Sequence, residues 1–138
     1  MFQHETKIRV TYADTDQMGY VYYGNYARFY EIARVESLRS LGLTYKELEQ
    51  SGVMMPVLEN HSKYLSPALY DELLTVRTTI KERPSVKITF NYEVLNEKNK
   101  IIHTGETLLV FVNMSNGRPC RMPDVMASLL DKYFDNEK

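Results

Sequence analysis

The chain carries one cysteine, no tryptophan, six glycines and five prolines in 138 residues. The lone Cys120 excludes an internal disulfide framework and a cysteine-only metal site. His4, His61 and His103 are dispersed without ligand spacing, so no metal site and no cofactor are expected. A charge excess of either sign is also missing: 17 Lys and Arg stand against 18 Asp and Glu. With no basic block, a nucleic-acid partner is not expected. No apolar run approaches the ~18 residues of a membrane span, and Met1 to Lys7 is polar without a signal-peptide pattern. A cytoplasmic location is the resulting expectation. Repeats, linkers and low-complexity segments are absent as well. One domain over residues 1–138 is therefore expected, large enough to hide roughly two-thirds of its unfolded surface.

What the chain does have is tyrosine, 11 of them. Tyrosine suits half-buried surfaces, because its ring packs while its hydroxyl stays hydrated or bonded. The residues from Thr6 to Tyr12 alternate, with Ile8, Val10 and Tyr12 on one side, and predict a strand. From Asn25 to Leu41 the period becomes helical through Phe29, Ile32, Ala33, Leu38 and Leu41. Asn25 is the expected N-cap and Gly42 the residue after the helix end. A short helix over Tyr45 to Ser51 follows, capped by Thr44 and stopped by Gly52.

Strands are then expected over Met54 to Ser66, Glu72 to Glu82, Val86 to Val94 and Ile101 to Val112, with turn chemistry between them. Pro123 is placed to open a closing helix with Val125, Leu129, Leu130 and Tyr133 on its apolar face. One long helix with a run of antiparallel strands is an α+β layout, most simply a sheet of about five strands wrapped around the long helix. Such a sheet has unpaired edges, which a second copy of the chain would cover.

Between the first strand and the long helix lies Asp14-Thr15-Asp16-Gln17-Met18-Gly19-Tyr20-Val21-Tyr22-Tyr23-Gly24-Asn25-Tyr26. Two carboxylates, two glycines and a cluster of aromatics here precede a helix start, whose unpaired N–H groups and positive dipole end favour negative charge. Gly19 and Gly24 permit close backbone approach to a ligand. A turn cap or an arginine partner accounts for Asp14. Tyr26 and Phe29 suit a core as well as a ligand contact, and Glu31 suits a pair with Arg34. Arg118 and Arg121, either side of Cys120, suit a solvated turn or a phosphate-bearing ligand.

This motif resembles that of the hotdog-fold acyl-CoA thioesterases, the 4-hydroxybenzoyl-CoA thioesterase family with its Tol–Pal-associated members. The resemblance continues through Arg28-Phe29, Glu31, Ala33-Arg34, Leu41-Gly42 and the turn Ser66-Pro67 with Tyr70-Asp71-Glu72-Leu73, and covers nearly the whole chain. It implies a hotdog fold and hydrolysis of acyl-CoA, or acyl-carrier protein, thioesters by a homodimer or homotetramer. Position by position, it implies Asp16 as the catalytic carboxylate, nucleophile or general base, and the Tyr23 backbone N–H as the donor that polarises the thioester carbonyl. Asn25 would fix the catalytic loop, and Gly19, Tyr26, His61 and Tyr64 would contact substrate, the last two from the strand that passes the neighbouring subunit's site. Many relatives carry histidine where Tyr23 stands; a backbone donor tolerates that change. A hydratase or dehydratase, or a non-catalytic acyl-CoA or acyl-carrier binding module, are the alternatives, and no histidine follows Asp16 closely to serve the first of them.

Overall fold

The structure, a computed structural model, describes residues 1–135; the last three residues of the expected domain lie outside the described residues. Five strands form one antiparallel sheet: β1 (Phe2–Arg9), β3 (Val57–Tyr64), β4 (Leu73–Ile80), β5 (Lys87–Leu95) and β6 (Ile101–Val110), in the order β1-β4-β5-β6-β3. The sheet wraps around helix α1 (Tyr26–Ser40), giving the α+β hotdog fold. The short helix α2 (Tyr45–Gln50), the two-residue strands β2 (Val53–Met54) and β7 (Val112–Asn113), which pair with each other, and α3 (Asp124–Leu130) complete the described chain. Among the described residues no helix is long and apolar enough to cross a membrane.

Register decides which side chains meet α1. Leu74, Val76 and Ile80 of β4 and Ile88, Phe90, Tyr92 and Val94 of β5 point toward the helix and are almost wholly buried. On β6 the same face carries His103, Gly105, Thr107 and Leu109, because His103 lies opposite Val94 and Gly105 opposite Tyr92. On β3 it carries Asn60, Ser62 and Tyr64, opposite Thr107, Gly105 and His103. The face under α1 is thus mainly apolar on the β4–β5 side, apart from Thr78 and the Tyr92 hydroxyl, and mainly polar on the β6–β3 side.

The helix matches that division. Phe29, Ala33 and Leu38 are fully buried. Tyr26, Tyr30 and Arg34 follow one another at four-residue spacing, so they share a stripe, and all three are buried as well. Ile32 and Leu41, expected in the core, are only partly covered, and the buried guanidinium of Arg34 takes a place an apolar pattern does not foretell.

Several boundaries differ from the sequence expectation. The first strand runs from Phe2 to Arg9, since β4 offers backbone partners as far as Ile80, opposite Phe2. Tyr12 is not on its inner face: it stands in a 3-10 turn, 75% exposed, with its ring stacked on Tyr70 at 3.9 Å. The strand expected over Met54 to Ser66 is two strands, separated at Met55-Pro56, because proline lacks the N–H a ladder needs. In α3 it is Met126 and Leu130 that are buried, while Val125 is exposed. The short helix is as expected, with Thr44 Oγ1 accepting from Glu47 N at 3.1 Å and Gly52 at φ +87° after its end.

Candidate active site

The loop between β1 and α1 is built by its two carboxylates, which do different things. Asp14 is buried. Its Oδ2 accepts from the Thr11 N–H at 2.8 Å and the Thr11 hydroxyl at 3.0 Å, and its Oδ1 pairs with Arg28. Asp14 is therefore the turn cap and arginine partner that its position suggested. Asp16 is half-buried, and its Oδ1 accepts from Met18 N at 2.9 Å and Tyr20 N at 3.3 Å. This Asx-type turn is closed by Asp16 N to Tyr20 O at 2.8 Å and requires the positive φ of Gly19, +77°. One oxygen of Asp16 is thereby held in place, while Oδ2 accepts no hydrogen bond from the described residues.

Gly19 stands at the tip of that turn with nothing within 4 Å of where a Cβ would be. At Gly24 the corresponding space is taken by the Tyr22 ring. The chain leaving the Asp16 turn is tied to the β3–β4 loop by Val21 N to Ala68 O at 2.8 Å.

Asn25 stands at the N-cap position of α1, as expected, but its side chain makes no capping hydrogen bond. Its backbone is already helical, at φ −78° and ψ −14°, since a 3-10 turn over Tyr23–Asn25 runs directly into α1. The extended residue that precedes the helical run is Tyr22. The Asn25 side chain instead donates from Nδ2 to the Asp14 carbonyl at 2.8 Å, an oxygen that also accepts from Tyr22 N at 2.8 Å. Asn25 thus ties the Asp14–Asp16 loop to the helix start. The first N–H groups of the helical run, on Tyr23 and Gly24, have no acceptor within it.

Beside this helix start a groove of about 350 Å³ opens between α1 and β3, lined by Tyr23, Gly24, Ala27, Tyr30, Asn60, Ser62 and Tyr64. Tyr64 donates its hydroxyl to the Tyr23 carbonyl at 3.3 Å, and its ring lies edge-on to Tyr26 with centroids 5.7 Å apart. Tyr26 is buried beneath, stacked on His103 at 3.8 Å. The structure therefore brings Tyr23 and Tyr64 to one opening, with Tyr26 packed behind Tyr64 in the core rather than lining it. His61 alternates to the outer face of the sheet, where it pairs with Glu59 at 2.8 Å and borders a separate polar depression of about 650 Å³ with Gln3, Lys63 and Asn91.

The floor of the groove contains residues that the sequence did not single out. Tyr30 drops its hydroxyl toward β6 over Gly105, where any Cβ would collide with it. That hydroxyl bonds Ser62 Oγ at 2.7 Å and His103 Nε2. Burial pushes the Tyr26 and Tyr30 phenols up to about 12 and the His103 imidazole down to about 4, so all three are neutral near pH 7. The available signal for this cluster is Gly105 itself, an isolated glycine within a strand pattern, which marks a close approach by another group.

The comparisons with known proteins bear on the family and the fold. Residues 10–130 match the model of the thioesterase-like superfamily. The acyl-CoA thioester hydrolase YbgC of Escherichia coli is 32% identical over 116 residues, 84% of this chain and 87% of that protein. The crystal structure of a DHNA-CoA thioesterase from Staphylococcus aureus superposes with a TM-score of 0.91 at 30% identity, covering 99% of this chain and 95% of that one. A protein from Thermus thermophilus, TT1821, superposes with a TM-score of 0.86 at 35% identity, covering 93% and 97%. The chain belongs to the thioesterase-like superfamily and is a hotdog-fold acyl-CoA thioesterase.

Proposed function

We propose that this thioesterase, acting as one hotdog domain per subunit, cleaves its acyl-CoA substrate with Asp16. The observation that carries the reading is the asymmetry of that carboxylate: Oδ1 is fixed by the amides of Met18 and Tyr20, and Oδ2 is free to act. Two routes use the same atom. In one, Oδ2 attacks the thioester carbon, CoA leaves as the thiolate, and water hydrolyses the resulting mixed anhydride. In the other, Oδ2 takes a proton from the water that attacks, and the departing thiolate is then protonated.

Either route develops negative charge on the carbonyl oxygen. The Tyr23 N–H at the start of the helical run is the donor for it, and a donor of this kind is worth ~3 kcal/mol in the transition state. Asn25 acts through the loop, by holding the Asp14 carbonyl. Gly19 serves by allowing the Asp16 turn. Tyr64 lines the acyl side of the groove, and Tyr26 supports its ring from beneath.

The edge strand β3 is almost entirely exposed, including Val57, Leu58 and Tyr64. A homodimer that pairs this edge with a second copy, or a homotetramer built from such dimers, would cover it. Contact between His61 and substrate requires such a partner, because His61 faces away from its own groove. Acyl-carrier protein is a second thioester donor to be tried beside CoA.

The testing experiment is free-thiol release from a panel of acyl-CoAs by wild type and Asp16→Asn, with sedimentation to give the assembly state. Turnover that collapses in the variant supports the assignment, and full activity in a folded variant refutes it.

A further inference from the structure

Two hydrogen-bond relays run through the polar half of the interior and end at the groove. The first is fixed in direction by its origin. Arg34 is 6% exposed, and a guanidinium can only donate. Its Nη1 lies 3.1 Å from the Tyr92 hydroxyl and 3.3 Å from Thr107 Oγ1. Tyr92 passes its own proton to Thr107 Oγ1 at 3.0 Å, and Thr107 donates to Asn60 Oδ1 at 2.6 Å. That bond fixes the amide with Oδ1 turned to β6, and leaves the Nδ2 hydrogens, which no described residue accepts, as the donors that Asn60 offers the groove.

The second relay is His103, Tyr30 and Ser62. His103 is fully buried and its Nδ1 has no partner among the described residues. A proton on Nδ1 would leave a buried N–H donor orphaned, which folded proteins avoid more strictly than an unused lone pair. The tautomer consistent with this site carries its proton on Nε2 and donates to the Tyr30 oxygen. Tyr30 then donates to Ser62 Oγ, and the Ser62 hydroxyl proton is left for the groove. Both relays thus run outward, and both end in donors on adjacent inward positions of β3.

We infer that Ser62 and Asn60 are the specificity-determining residues of the groove, held as a pair of hydrogen-bond donors, and that the acyl group they select carries an acceptor oxygen. A plain hydrocarbon in that place would strip water from both donors and return nothing, the kind of mismatch by which polar sites discriminate. His103, Tyr30, Arg34 and Thr107 are positioning residues, since they act only through Ser62 and Asn60. The inference rests on the groove being the acyl side of the site proposed above.

The test compares kcat/KM on matched esters: acetoacetyl-CoA against butyryl-CoA, and the monohydroxybenzoyl-CoA isomers against benzoyl-CoA. Wild type is expected to favour the oxygenated member of at least one pair by about tenfold, the value of one well-made hydrogen bond. Ser62→Ala and Asn60→Asp should each remove that preference. Asn60→Asp matters most, because it keeps the shape and the bond from Thr107 while turning a donor into an acceptor.

No preference in wild type, or a preference untouched by Asn60→Asp and Ser62→Ala, overturns the inference. The Asp16→Asn comparison stays separate: turnover lost there with the preference unmoved here refutes only the relays, whereas turnover surviving Asp16→Asn refutes only the catalytic assignment. A readout independent of activity is the nitrogen-15 NMR spectrum of His103 near pH 7. The Nε2–H tautomer, perturbed by Tyr30→Phe, is expected. An Nδ1–H or doubly protonated ring overturns the histidine relay whether or not any ester is turned over.

Discussion

Under α1, strands β4 and β5 present Leu74, Val76, Ile80, Phe90 and Val94, while β6 and β3 present His103, Gly105, Thr107, Asn60 and Ser62. The two groups lie on one continuous concave face against one helix. Burying each large apolar side chain contributes about 1.5–3 kcal/mol. The polar contacts return only about 1 kcal/mol each and cost more when a partner is lost. The apolar half therefore holds the fold, and the polar half is retained for what happens in the groove above it. The helix observes the same boundary, with Phe29, Ala33 and Leu38 serving one side and Tyr26, Tyr30 and Arg34 the other.

That division predicts that activity and stability separate by location. The largest effect belongs to Asp16→Asn, which should lower kcat on CoA esters by roughly 10²–10⁴-fold while the thermal melting curve stays close to that of wild type. A variant that melts much earlier would mean that the Asp16 turn is structural. In the apolar half, Phe90→Ala should remove about 3–5 kcal/mol of stability by leaving a cavity, measured by urea unfolding. A loss below about 1 kcal/mol would show that this half does not carry the fold.

The third effect is on pH dependence. The unfolded chain protonates His103 below its ordinary value of 6.5, whereas the folded chain does so only below about 4. Stability from this group is therefore complete above pH 6.5 and is lost as pH falls toward 4, by about 3 kcal/mol at most. Urea unfolding of wild type and His103→Gln at about pH 7 and about pH 4.5 should show a steeper acid loss in wild type; parallel losses would contradict a buried neutral imidazole.

The smallest effect is Gly105→Ala, which should cost about 1–3 kcal/mol by overpacking against Tyr30. Its partner change Tyr30→Leu should restore part of that loss in a double-mutant cycle, because the hydroxyl and the ring carbons that collide are both gone. Additive losses would place the Tyr30 ring away from Gly105.

Much of this could be read along the chain. The long helix, the capped helix after Thr44 and the succession of strands follow from spacing and turn residues that act within a few positions. The same holds for Asp14 as a turn cap. The departures have equally local causes: Pro56 interrupts what hydropathy alone makes one strand, and the 3-10 turn at Tyr23 leaves Asn25 at the N-cap position with a helical backbone and no capping bond. Tyr12 fits the alternation of β1 but falls beyond the last residue that β4 pairs.

The sequence by itself determined the order of the elements, the carboxylate-bearing turn and the helix start that follows it, because each depends on hydrogen bonds and side chains only a few residues apart. Only the tertiary structure decided that His61 turns away from the groove while Ser62 turns toward it, and that Tyr30 meets Ser62 and His103, 32 and 73 residues away. Sheet register and the missing side chain of Gly105 bring those groups together, and a pattern of local periods carries no information about which strand lies opposite which.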